Sequence, residues 1–165
     1  MEGEDNVMRI SALVFVITLL AGSVAAYAAE EADVLRKQSP YSADETIERF
    51  EAAVRERGMM VFPRIDHSEA ARSVGLTMPT TVVIPFGNPR FGTPRMIEVP
   101  LSAVEFPPKA LVYEDADGQV WMAYQSANFL FNNVSARHGL SSSEEDVENL
   151  RRVLDSLSDA AVEAP

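Results

Sequence analysis

Two histidines, His67 and His138, are the only imidazoles in the 165 residues, and there is no cysteine. Histidine changes charge between pH 5 and 8, so these rings are the first candidates for acid–base or ligand work. Asp66 directly precedes His67, and two imidazoles with a carboxylate can hold a metal. No spacing of the HExxH kind demands one, and neither a metal nor another cofactor is expected. A structural role stands beside the functional one. His67 would then pin a strand-to-helix turn, and His138 would bond carbonyls at a helix C-terminus. Gly87 and Asn88 lie in Phe86-Gly87-Asn88-Pro89, a loop whose amides could cradle an anion or simply turn the chain sharply out of a strand. Arg90 and Arg95 flank it and would meet a carboxylate or phosphate, or balance surface acids. Asp66, His67, Gly87, Asn88 and His138 are thus the candidate ligand-binding set. No residue is assigned as catalytic, because G-x-S-x-G, Walker A and Rossmann fingerprints are absent. Asp115 and Asp117 lack the longer loop and distal glutamate of a calcium site.

The chain that must position these residues suffices for one domain and is too short for two ordinary ones. Apolar residues make up 47% and charged residues 24%, the balance of a chain that buries a core. Fourteen basic against 25 acidic residues leave a formal charge of −11, which argues against nucleic-acid partners. Without cysteine, disulfides, thiolate nucleophiles and cysteine metal sites are excluded.

Residues 10–29 carry no charge, follow Arg9 and end in small residues. A basic start, an apolar run and Ala26-Tyr27-Ala28 read as a signal peptide over residues 1–28, cut after Ala28, for a periplasmic or extracellular protein. Glu2, Glu4 and Asp5 suit the start badly, and Met8-Arg9 would open it better. The alternative is an uncleaved anchor, since twenty helical residues span about 30 Å. Membrane contact is expected only through that segment.

Downstream the pattern alternates strands and helices in an α+β order. Val34–Gln38 reads as a strand. Ser42-x-x-Glu45 is a capping box opening a helix through Ile47, Phe50 and Val54, stopped by Gly58. Met59–Ile65 reads as a strand in which Pro63 marks an edge or bulge. Asp66-x-x-Glu69 caps a short helix, and Thr80–Phe86 is a buried strand. Thr93-Pro94 predicts the cap and first residue of another short helix, to Val99. Ala110–Glu114 and Gln119–Gln125 form a hairpin around Asp115–Gly118, with Val120, Met122 and Tyr124 on one face and Trp121 and Ala123 on the other. Tyr113, Trp121 and Tyr124 would line a pocket or, more in keeping with a sheet under helices, fill the core. Ser126 caps a helix through Phe129, Leu130 and Val134. Ser142 or Ser143 opens the last one, striped by Val147, Leu150, Leu154, Leu157 and Ala161.

Five motifs in order together resemble the domain of unknown function (DUF) 302 family. They are Tyr41-Ser42; Arg64-Ile65-Asp66-His67; Pro85-Phe86-Gly87-Asn88-Pro89 with Gly92-Thr93-Pro94; Leu111-Val112-Tyr113-Glu114-Asp115 through Gly118; and Arg137-His138-Gly139-Leu140. The resemblance covers a domain at 33–140, leaving 141–165 as a C-terminal helix and tail. It implies a two-layer α+β fold with helices packed on one face of an antiparallel sheet, often dimeric, and no established activity. Two stretches depart from it: Val104-Glu105-Phe106-Pro107, and extra length at Phe131-Asn132-Asn133-Val134. The expectation is an exported module that binds a small ligand or a partner, a second copy among them, without catalysis. The alternative is an enzyme or redox-associated factor built on His67, Asn88 and His138.

Overall fold

The computed structural model describes residues 32–164. The expected signal or anchor segment lies outside the described residues.

Six antiparallel strands form the sheet: β1 (Val34–Gln38), β2 (Met60–Val61), β3 (Ile65–Asp66), β4 (Thr81–Gly87), β5 (Lys109–Glu114) and β6 (Val120–Gln125). Their order is β1-β6-β5-β4-β2, with β3 also paired to β4. The described residues also form four α-helices, the first three between strands and the last after β6: α1 (Ala43–Glu56), α2 (His67–Ser73), α3 (Pro89–Glu98) and α4 (Glu144–Val162).

Strand alternation decides which side chains are covered. Val82, Ile84, Val112, Met122 and Tyr124 point one way and are nearly fully buried. There they meet Ile47, Phe50 and Val54 of α1 and Leu154, Leu157 and Ala161 of α4. Phe50 packs edge-on against Phe86 with ring centroids 5.1 Å apart. Tyr124 is core rather than pocket, and its hydroxyl is satisfied by Asp155 and Ser158, each at 3.2 Å.

Gly58 closes α1 at φ 66°, where its amide reaches the Arg55 carbonyl and Met59 N that of Val54. Ser42 Oγ accepts from Glu45 N at 3.2 Å as expected, while the full reciprocal box forms at Ser143 and Asp146, opening α4.

Three expectations are corrected. The strand expected at Met59–Ile65 is two short pieces, β2 and β3, both on the same edge of β4. Pro63 between them has no N–H for a ladder, which breaks the pairing. The helix expected from Thr93-Pro94 starts earlier, because Asn88 Oδ1 accepts from Arg90 N at 3.0 Å and Pro89 fills the first position. Pro94 then falls inside α3. The helix after Ser126 is capped as expected, Phe129 N donating to Ser126 Oγ at 3.2 Å. Its body, however, is π-helical over Phe129–Ser135. The wider turn takes up the extra length seen at Phe131–Val134.

Candidate functional site

Asp66 is the N-cap of α2, its Oδ1 accepting from Glu69 N at 2.8 Å and from the Ser68 hydroxyl at 2.5 Å. These bonds hold its carboxyl below the usual range, the Ser68 bond most of all. His67, the first helical residue, is exposed and has no bonding partner among the described residues. The turn is pinned by Asp66, not by the His67 ring. Arg64 of the same motif also works structurally. With Arg55 it pairs to Glu51, whose side chain is 7% exposed, and so ties the approach to β3 onto α1.

Gly87 ends β4 against Pro107 and Pro108; a Cβ there would lie 3.6 Å from that of Pro107. Asn88 is occupied as the cap of α3. Asp66 pairs with Val82 at one end of β4 and Gly87 stands at the other, a span of roughly 16 Å of extended chain. The structure therefore does not bring Asp66 and His67 together with Gly87 and Asn88.

His138 sits beyond the π-helical turn with its side chain 10% exposed and its Nε2 without a hydrogen-bond partner. Glu105 Oε1 lies 3.8 Å from that nitrogen and 3.7 Å from Arg137 Nη1. Glu105 is the residue the sequence did not assign; the departure at Val104–Pro107 was its only signal. Beside it is a cavity of about 50 Å³ walled by Phe106, Pro108, Leu130, Phe131 and Val134. That is room for a water or two, far below the 300–1,000 Å³ of ordinary ligand sites. A larger open groove, about 520 Å³, runs between the π-helical turn and the start of α4. Its polar groups largely satisfy one another: Arg151 bonds Glu148 and Asn128, and Ser143 bonds Asp146. No group of three or more His, Asp or Glu side chains able to hold a metal occurs among the described residues.

Two surfaces remain, the first unmarked in the sequence, the second carrying Tyr113 and Trp121, which were expected in the core and are only half-buried. Helix α3 buries none of its residues, and the 3₁₀ turn after it, Pro100–Val104, buries only Ser102. Phe91, Ile97, Leu101 and Val104 on this stretch are 69–75% exposed. The second is the outer face of the sheet. Register sets Thr81, Tyr113, Trp121 and Gln38 in one cross-strand row, and Val83, Leu111, Ala123 and Arg36 in the next.

A family model described as "Domain of unknown function DUF302" matches residues 35–157. The chain belongs to the DUF302 family. The match runs past Leu140 into α4, the helix that closes the core. A crystal structure titled as an uncharacterized conserved DUF302 protein from Bacillus stearothermophilus is similar at TM-score 0.66 and 19% identity. It covers 78% of this chain and 98% of that one, a likeness of fold. Among curated proteins, the "Fluoride-specific ion channel FluC 1" of Brucella suis biovar 1 (strain 1330) is 33% identical over 156 residues, covering 82% of this chain and 60% of that protein. The protein of that name from Brucella abortus biovar 1 (strain 9-941) is also 33% identical, with 82% and 56% covered. The chain thus spans 56–60% of the length of these relatives. No described helix is long and apolar enough to cross a membrane.

Proposed function

We propose that this DUF302 protein is an exported, non-catalytic binding module that associates through α3 and the following 3₁₀ turn, with a second copy of itself as partner. One observation carries the reading: a ten-residue helix without a buried side chain, continued by a turn, exposes Phe91, Ile97, Leu101 and Val104. The largest apolar patch on a monomer, roughly 300–600 Å², is often a functional surface. Charge favours a second copy. The chain carries −11 overall, yet Arg90, Arg95 and Glu98 are the only charges between Pro89 and Val104. Two acidic molecules can meet there with little repulsion. The free edge of β1 suits pairing less well, because Arg36 at its centre would face Arg36. The apolar run ending in Ala26-Tyr27-Ala28 supports export, and the channel names of the Brucella relatives agree with a setting at a membrane. Sedimentation of the purified protein at tens of micromolar should give a dimer, and Ile97→Glu with Leu101→Glu a monomer. A wild-type monomer at that concentration removes the reading.

A further inference from the structure

The outer face of an antiparallel sheet ordinarily reads polar, because it meets water. Here its central rows hold Val83, Leu111, Tyr113, Trp121 and Ala123, while α1 and α4 cover the opposite face. Among these residues stands one cation, Arg36 of the edge strand. Its guanidinium carbon lies 4.5 Å from the centroid of the Trp121 ring, and its Nη1 reaches the Tyr113 hydroxyl at 3.5 Å. The indole is itself fixed. Trp121 Nε1 donates to Asp115 Oδ2 at 2.7 Å, and Asp115 Oδ1 accepts from Asp117 N at 3.0 Å and Gln119 N at 2.9 Å, tying the ring to the β5–β6 turn. Arg36 forms no direct ion pair with a carboxylate among the described residues; its charge is felt by Asp115, across the indole, without a hydrogen bond between them. A stacked guanidinium held in place with free donors is set up for the two oxygens of a carboxylate.

We propose that the Arg36–Trp121–Tyr113 face binds a small amphipathic monocarboxylate: Arg36 takes the carboxylate, and the half-buried Val83 and Leu111, with the buried Ala123 between Leu111 and Arg36, take an adjoining ring or alkyl chain. The ligand carries one negative charge, not two. A single guanidinium offsets one, and the acidic surplus of the chain repels a second. The apolar body must lie flat, because the platform is a sheet surface and its contacts come from side chains of neighbouring strands. None of these residues belongs to α3 or the 3₁₀ turn after it, and the binding does not depend on dimer formation.

The test is titration of the purified protein with 4-phenylbutyrate, followed by backbone amide NMR. Saturable shifts centred on Arg36, Leu111, Tyr113, Trp121 and Ala123 are expected. The neutral 4-phenylbutanol and the cationic 4-phenylbutylamine should bind at least about tenfold more weakly. Arg36→Gln should lose the carboxylate preference by a similar factor, with the remaining spectrum unchanged. Arg36→Lys should retain part of it, as a cation without the planar fork. Equal affinity for the three probes overturns the proposal. So does an Arg36→Gln variant that still prefers the carboxylate, or the lack of saturation by about 10 mM.

Discussion

The β5–β6 hairpin shows the same backbone two different environments. On its inner face Val112 and Met122 are 0–1% exposed and touch α1 and α4, so their part is to hold the fold. On its outer face Tyr113 and Trp121 are half-buried by neighbours in the sheet and bonded to Arg36 and Asp115 at the surface. A strand turns successive residues to opposite sides, so one pair of strands can carry stability and a binding surface independently. The histidines, which stand out by type, occupy neither place.

The largest expected effect sits on the inner face. Met122→Ala should cost about 2–5 kcal/mol, because the site is closed on all sides and cannot collapse onto the gap. Trp121→Ala, despite removing more atoms, should cost about 1 kcal/mol, since its partners are surface groups. Urea unfolding of the two variants measures both. A Trp121 loss as large as that of Met122 would mean that the outer face is covered and would undo the comparison.

The hairpin, the last helix and the Asp66 cap were legible in the sequence because each rests on local signals: strict alternation around Asp115–Gly118, a 3.6-residue stripe, and a side chain bonding its own turn. Residues competing for one local role were harder to read. Thr93-Pro94 read as a helix start and Asn88-Pro89 as a loop, yet the upstream pair prevails because Asn88 caps while Pro89 gives up an N–H that needed no partner. Non-local pairings were not legible as pairs. Arg36 meets Trp121 only through the β1–β6 register, and Glu105 meets His138 only after the chain has turned through the π-helical segment.

The Glu51 cluster extends the comparison to pH. The Arg64 hydrogen bond, aided by Arg55, holds the Glu51 carboxyl below its ordinary value, against the opposing effect of burial. A depressed folded-state pKa adds stability that is present above the unfolded carboxylate value and lost as pH falls through the folded one. Wild type should therefore weaken progressively as pH drops below about 4.3. Glu51→Gln should be less stable at pH 7 and show a flatter acid limb, read from melting temperatures across that range. Identical slopes would remove Glu51 from the account.

Smaller still is the contrast between neighbours at the start of α2. Asp66→Ala should cost about 1 kcal/mol as the loss of a cap. His67→Ala, exposed and unbonded, should stay within about 0.5 kcal/mol of wild type. A clear loss at His67 would restore its ring to a structural role.

The central claim is that this protein acts by binding through its exposed apolar surface and not through its histidines. Sedimentation velocity on two double variants tests it most directly, His67→Ala/His138→Ala against Ile97→Glu/Leu101→Glu. The account predicts that the histidine variant stays a dimer and the α3 variant becomes a monomer. A dimer that survives the α3 changes but dissociates when the histidines are removed would contradict it.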